Sequence, residues 1–216
     1  MKLHNAIPPR HSAPLFYLLL CVAALPLTPK TAAAQAVREE GSQVLFNGRD
    51  LTGWKVPEPN PFWKVSDGVL VGESDEKLKG SMLYTEKAYL NFALEADVRW
   101  KGDIDSGFMM RTPELQLQIG VSRSLKVDMT GSFYTGGAEK YPVAGRAKGL
   151  EKVLRPGDWN KFRIEAVGKV FKIWLNGEKI TEYEDPKYKD AGPIGLQVHP
   201  GVAMKVEFRN LVLKPL

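Results

Sequence analysis

The sequence predicts an all-β domain, a sandwich of two antiparallel sheets of the jelly-roll type. Three observations carry this. Apolar and polar residues alternate with period two in several segments, which is the pattern of strands with one buried face. Turn-formers are abundant, with 20 glycines and 15 prolines in 216 residues, and they fall between those segments. No stretch of ten or more residues keeps a clean 3.6-residue apolar period.

Taken in order, the chain opens with a segment that reads as a secretory signal peptide over residues 1–36. Lys2 and Arg10 supply the positive start, and Leu15 to Leu27 is an apolar run of 13 residues. Ala34-Gln35-Ala36 is an Ala-x-Ala cleavage site, so Val37 is the expected mature N-terminus. Thirteen residues are too few to cross a hydrocarbon core of about 30 Å, and Pro26 ends the run. An uncleaved anchor is the alternative. A lipid anchor at Cys21 fits poorly, because Leu20 stands where a small residue is needed. The expectation is an exported protein, periplasmic or secreted, with no stable membrane insertion after cleavage. Cys21 is the only cysteine and leaves with the leader, so the mature chain has no disulfide and no thiolate chemistry. The leader also holds three basic and no acidic residues. Its removal leaves 27 basic against 25 acidic side chains, and a nucleic-acid partner loses its electrostatic basis.

Residues 37–42 read as a short flexible tail, and residues 43–216 as one domain. Phe92, Leu94, Ala96, Val98 and Trp100 share one strand face. Phe162, Ile164 and Ala166 oppose Lys161, Arg163 and Glu165, and Met204, Val206 and Phe208 oppose Lys205, Glu207 and Arg209. Asn176-Gly177 joins Val170–Leu175 to Glu178–Tyr183 as a hairpin, since both turn positions favour positive φ. Asn47-Gly48, Asp67-Gly68, Arg155-Pro156-Gly157 and Gly192-Pro193 mark other turns. The count is ten to thirteen strands, with at most a helical turn near Asp185–Lys189. Gly131 to Asp158 interrupts the rhythm as a long basic, glycine-rich excursion. Such a segment reads as a loop folding over a site, the alternative being a solvated loop without function.

Chemistry-bearing residues are few. His199 is the only histidine after the leader and the only side chain with an ordinary pKa near neutrality. It shares a strand face with Gly195 and Gln197. Met109 and Arg111 share another, and Gln116 and Gln118 a third. Amides both donate and accept, so repeated glutamines suit hydroxyl groups. An arginine beside them suits an oxyanion or carbonyl oxygen. These residues predict one polar sheet face of Arg111, Gln116, Gln118, Gln197 and His199. Pattern alone leaves open that this face is solvated and binds nothing. Asp128 is a candidate acid for the site, or a turn residue. Asp103-Ile-Asp105-Ser-Gly107 resembles a fragment of a calcium loop without the later ligands. No nucleophile elbow, Walker loop or dinucleotide fingerprint is present.

A set of segments in order carries a family resemblance: Leu45-Phe-Asn-Gly-Arg-Asp-Leu-Thr-Gly-Trp54, Trp63 to Leu70, Leu83 to Tyr89, Ser106-Gly-Phe-Met-Met-Arg111, Gly157-Asp-Trp-Asn160, Trp174-Leu-Asn-Gly177, Gly192 to His199 and Phe208-Arg-Asn-Leu211. Together they resemble the 3-keto-disaccharide hydrolase family across nearly all of residues 43–216. The family's Tyr-Glu-Val-Gln-like strand reads Leu115-Gln-Leu-Gln118 here, so Gln118 matches and Gln116 replaces an acid. Pro200 stands between the histidine and Gly201. The resemblance implies a concanavalin A-like jelly roll, export, and cleavage of 3-keto-glycosides or 3-keto-disaccharides by elimination or hydrolysis. On that chemistry, the residues above take the following roles: His199 as base or proton shuttle, Arg111 at the C3 oxygen, Gln116, Gln118 and Gln197 on hydroxyls, and Tyr134 and Lys148 closing over the sugar or protonating the leaving oxygen. A divalent metal held by an acid such as Asp128 or Glu114 is an alternative electrophile. The rival functional classes are a non-catalytic carbohydrate-binding module and a secreted partner-binding scaffold.

Overall fold

The structure is a computed structural model that describes residues 40–216. The expected leader and its cleavage site lie outside the described residues. In chain order the described strands are β1 (Gln43–Val44), β2 (Trp54–Lys55), β3 (Trp63–Ser66), β4 (Val69–Glu73), β5 (Ser81–Tyr89), β6 (Phe92–Trp100), β7 (Asp105–Met110), β8 (Leu115–Gly120), β9 (Phe133–Tyr134), β10 (Asn160–Val167), β11 (Val170–Leu175), β12 (Glu178–Glu184), β13 (Gly192–Val198) and β14 (Lys205–Pro215). They pair antiparallel into two sheets. One runs β12-β11-β10-β6-β14-β4-β3, with β1 added on β14; the other runs β2-β5-β13-β7-β8-β9. The all-β two-sheet sandwich is the architecture that the alternation predicts.

The core lies between the sheets and is built by the in-facing half of each strand. Phe92, Leu94, Ala96 and Val98 of β6 and Phe162, Ile164 and Ala166 of β10 face Phe108, Leu115, Leu117, Ile194 and Leu196 of the second sheet. Phe108 meets Phe162 and Phe208 across the gap, with ring centroids 5.9 and 5.8 Å apart. Burying these side chains supplies the main driving force, about 25 cal/mol per Å² of apolar surface. The Asn176-Gly177 turn joins β11 to β12 with φ of 52° and 96°, as a hairpin turn of mirror-image type requires.

Two details differ from expectation. Fourteen strands are described rather than ten to thirteen, because β1, β2 and β9 are two residues long and too short to show alternation. Residues 185–189 form a turn and no helix, closed by Tyr183 Oη donating to the Asp185 carboxylate at 2.8 Å. The helical turns sit inside the long excursion instead, as a 3-10 turn at Val143–Gly145 and α1 at Leu150–Val153.

The outward faces of the two sheets are chemically unlike, and this locates the site. The larger sheet carries ion pairs: Arg99–Glu207 at 2.6 Å, Arg163–Glu165 at 2.6 Å, Lys161–Glu95 at 2.8 Å and Arg209–Asp97 at 3.2 Å. Trp159, just before β10, lies on this outer face with the guanidinia of Arg99 and Arg209 4.5 and 4.1 Å from its ring centroid. The smaller sheet presents amides, one imidazole and few charges.

Candidate active site

The outward row of the smaller sheet is fixed by strand register. Gly195 of β13 pairs with Tyr84 of β5 and with Met109 of β7; Met109 pairs with Gln116 of β8, and Gln116 with Tyr134 of β9. A second row contains Gln197 and Gln118, with Gly107 opposite Gln118. Near the end of β13 the chain passes His199, beside the start of β7 at Asp105. The missing side chain of Gly107 leaves room for Gln116: a Cβ there would come 2.9 Å from Gln116 Cγ, 3.0 Å from its Nε2 and 2.6 Å from the Leu117 carbonyl oxygen.

Here a cleft of about 280 Å³ opens, lined by Gln116, Gln118, Gln197 and His199 from the floor and by Asp105, Tyr134 and Tyr141. Ser122, Arg123, Ser124 and Lys140 form its rim. That size is at the lower end of small-ligand sites and suits one sugar ring rather than a chain. A concavity of about 360 Å³ on the larger sheet has Arg99, Lys205 and Glu207 in its lining. Arg99 and Lys205 there are already paired with Glu207, whereas the smaller cleft holds the imidazole and the amides and is the candidate site.

One hydrogen-bond chain wires the floor. The Asp105 carboxylate is 4% exposed and acceptor-only when ionised. It accepts from Gln118 Nε2 at 2.8 Å and from the Arg123 backbone N–H at 2.9 Å. Gln118 must therefore turn its Oε1 the other way, where it accepts from Gln116 Nε2 at 2.8 Å and Tyr141 Oη at 3.0 Å. Gln116 Nε2 also approaches Gln197 Oε1 at 3.3 Å. The orientation of three amides thus follows from one carboxylate, which is how amide assignments are made from a network. Gln116 and Gln197 are half-buried and reach the cleft; Gln118 is 1% exposed and fully engaged.

His199 Nδ1 lies 2.6 Å from the Pro200 carbonyl oxygen. A carbonyl only accepts, so Nδ1 carries the proton and Nε2 keeps its lone pair. Nε2 is 3.9 Å from Asp105 Oδ2. A proton taken by Nε2 would face that carboxylate. The Pro200 carbonyl supplies the contact that sets the tautomer. Burial pushes the Tyr141 hydroxyl up to about 12, with the charge of Asp105 adding to the effect, so it stays a donor. The rings of Tyr134 and Tyr141 lie 5.2 Å apart at the cleft wall.

The structure brings together His199, Gln116, Gln118, Gln197 and Tyr134 from the residues the sequence singles out. It does not bring Arg111, Lys148 or Asp128 to the cleft. Arg111 follows β7 at its far end, six residues from Asp105, or roughly 20 Å at strand rise. Its φ is 70°, so strand alternation stops there and the side chain turns into the sandwich. The guanidinium is 2% exposed, donates from Nη2 to Gly168 O at 3.1 Å and stands over the Phe171 ring. Nε and Nη1 have no hydrogen-bond partner among the described residues, and desolvation lowers the pKa of the group. Lys148 is exposed, and its backbone N–H ties the long excursion to Ile180 of β12. Asp128 accepts from the Thr130 N–H at 2.8 Å, the turn role. Glu114 accepts from Tyr84 Oη at 2.7 Å and lies beyond the opposite end of β8 from Asp128. Among the described residues no group of three or more His, Cys, Asp or Glu could hold a metal ion. Asp105 serves the amide chain rather than a calcium loop. Arg111→Met is therefore expected to leave turnover within twofold. Replacing a poorly partnered buried cation should raise the thermal midpoint, by about 2–4 °C per kcal/mol gained. Loss of most turnover in a folded Arg111→Met protein would return Arg111 to the chemistry.

Asp105, Tyr141, Arg123 and Lys140 were not named for the site by sequence reasoning. Asp105 shares the parity of Gly107 and Met109, so extending that face backwards finds it. The rim residues leave no periodic signal.

The jelly roll, its amide-lined cleft and its relatives together define a carbohydrate-active protein. Residues 41–214 match the 3-keto-alpha-glucoside-1,2-lyase-like domain family, and the chain belongs to that family. No functionally curated protein matches it in sequence. Among solved structures, a protein of Parabacteroides distasonis described as a candidate glycosyl hydrolase is 25% identical, with a TM-score of 0.62, over 82% of this chain and 94% of that one. Two others share the fold: the carbohydrate-binding module CBM66 of Bacillus subtilis (19% identity, TM-score 0.55, 76% of this chain and 96% of that one) and SCLam, a non-specific endo-β-1,3(4)-glucanase of family GH16 (11%, 0.58, 82% and 93%). Among the described residues no helix is long and apolar enough to cross a membrane.

Proposed function

We propose that the protein cleaves 3-keto-glycosides, by β-elimination across C1 and C2 of the oxidised sugar followed by addition of water. The observation that carries this is the composition of the cleft: one imidazole with a free Nε2, amides, phenols and cations. The paired carboxylates of an ordinary glycosidase are not what lines it. A ketone at C3 acidifies the C2 proton, so a neutral base suffices. His199 Nε2 takes that proton, and the C2–H electrons pass to the C3 oxygen as an enediolate. Arg123, on the rim and anchored through its backbone to Asp105, faces this oxyanion in place of Arg111. Lys140 adds positive charge on the rim. The enediolate re-forms the ketone, expels the C1 oxygen and leaves a C1–C2 double bond. Tyr134, half-buried at the wall, gives the departing oxygen its proton, and water adding to the double bond completes hydrolysis. Gln116 Oε1 and Gln197 Nε2 hold hydroxyls, and Gln118 fixes both.

Product analysis on a panel of 3-keto-glycosides tests the reading, with expected release of the aglycone and a 3-keto sugar or its 1,2-unsaturated form. Binding of unoxidised glycans with no product from any ketosugar would show a binding module instead. We also propose export, with cleavage after Ala36. Mass spectrometry of the protein from its native host should find a chain that begins at Val37, and a full-length chain would overturn this.

A further inference from the structure

We propose that Tyr84, laid over Gly195 and held by Glu114, forms a second sugar subsite next to the cleft, which takes the sugar ring on the leaving side of the bond. This rests on the reading of the cleft as a ketosugar site. Tyr84 projects from β5 on the same outer face as Gln197, and the cleft lining ends at β13, one strand away. Strands are spaced by about 4.8 Å, so the tyrosine begins about one sugar ring beyond Gln197. Its ring occupies the space above Gly195: a Cβ there would lie 2.6 Å from Tyr84 Cε1 and 2.8 Å from Cδ1. Its hydroxyl donates to Glu114 Oε2 at 2.7 Å, in the turn between β7 and β8, so the side chain is stretched across β13. Met109, 1% exposed, lies beside it. An aromatic ring fixed at both ends and half-open to solvent is a platform for the C–H face of a pyranose.

The chemistry around the platform favours a sugar over a purely apolar aglycone. Gln197 borders it on one side, and the exposed Glu114 carboxylate borders it on the other, both within the inventory of hydroxyl partners. Neither Tyr84 nor Glu114 takes part in the proton transfers. Their contribution is to affinity and to choice of leaving group.

The test compares a 3-keto-disaccharide with the matching methyl 3-keto-glucoside. On the unaltered protein the disaccharide should bind about tenfold more tightly. Tyr84→Ala should raise its KM about tenfold while the methyl glycoside stays within twofold, and Tyr84→Phe should keep the disaccharide within about threefold. Equal affinities for the two ligands on the unaltered protein would overturn the subsite, as would equal losses on both in folded Tyr84→Ala. If neither ketosugar binds the unaltered protein, the reading of the cleft itself fails and the subsite with it.

Discussion

His199→Gln is expected to lower turnover of a 3-keto-glucoside by about 10²–10⁴-fold, the range for removing a positioned general base. The fold should be unaffected, because the ring is half-exposed, hydrogen-bonds to the neighbouring Pro200 carbonyl and stands 3.9 Å from Asp105 Oδ2, beyond hydrogen-bond reach. Glutamine keeps a polar side chain of comparable reach but has no lone pair basic enough to take a carbon-bound proton. The thermal midpoint should stay within about 2–4 °C, equivalent to no more than about 1 kcal/mol. If a folded His199→Gln protein keeps more than half of the original rate, the imidazole is not the base.

The second large effect is expected at Asp105, and it should appear in both stability and rate. Asp105→Asn keeps the shape but presents an NH2 group to one of two donors, Gln118 Nε2 or the Arg123 N–H. Hydrogen bonds to charged groups contribute about 1.5–3 kcal/mol, and a buried donor left facing a donor costs more than the bond alone. A loss of about 2 kcal/mol lowers the midpoint by about 4–8 °C in a domain of this size. If Gln118 flips to restore one bond, it turns its amide nitrogen toward Gln116 Nε2 and the Tyr141 hydroxyl, and the conflict moves along the chain. Turnover should fall by at least about tenfold as Gln116 and Gln197 lose their set orientation. The check is calorimetry and kinetics on the same preparation. Full activity with an unchanged midpoint would show that the amides are oriented by something else.

Much of the fold could be read in the chain because strand alternation is a local property. Each of Phe92–Trp100, Phe162–Ala166 and Met204–Phe208 declares which side is buried without reference to its neighbours. The amide face was legible for the same reason, with Gln116, Gln118, Gln197 and His199 on consistent parity. Arg111 marks where this reasoning stops. The parity rule holds only while the backbone is extended, and a residue in the left-handed region turns its side chain to the opposite side. Asp105 was obscured by a local likeness to a metal loop, since its partner Gln118 is thirteen residues away and becomes a neighbour only through β7–β8 pairing. Arg123, Lys140 and Tyr141 come from loops whose path depends on tertiary contacts such as Ala147 N–H to Ser132 Oγ and Arg146 to the Tyr141 carbonyl. Lys148 lies in the right excursion, but on the side that docks against β12.

The cleft has a woven bottom and a looped margin, and these two parts can change independently. The bottom holds a chain of amides and one carboxylate fixed by ladder pairing and by each other, so an exchange in that chain is expected to disturb the proposed proton transfer and folding together. The segments around Arg123 and Lys140 touch the bottom through few bonds and carry exposed tips. Drift in those segments around a retained Arg123 can retune which substituent a substrate carries while the underlying reaction persists. Grafting margins between relatives with Arg123 kept in place should therefore move selectivity without reinventing catalysis.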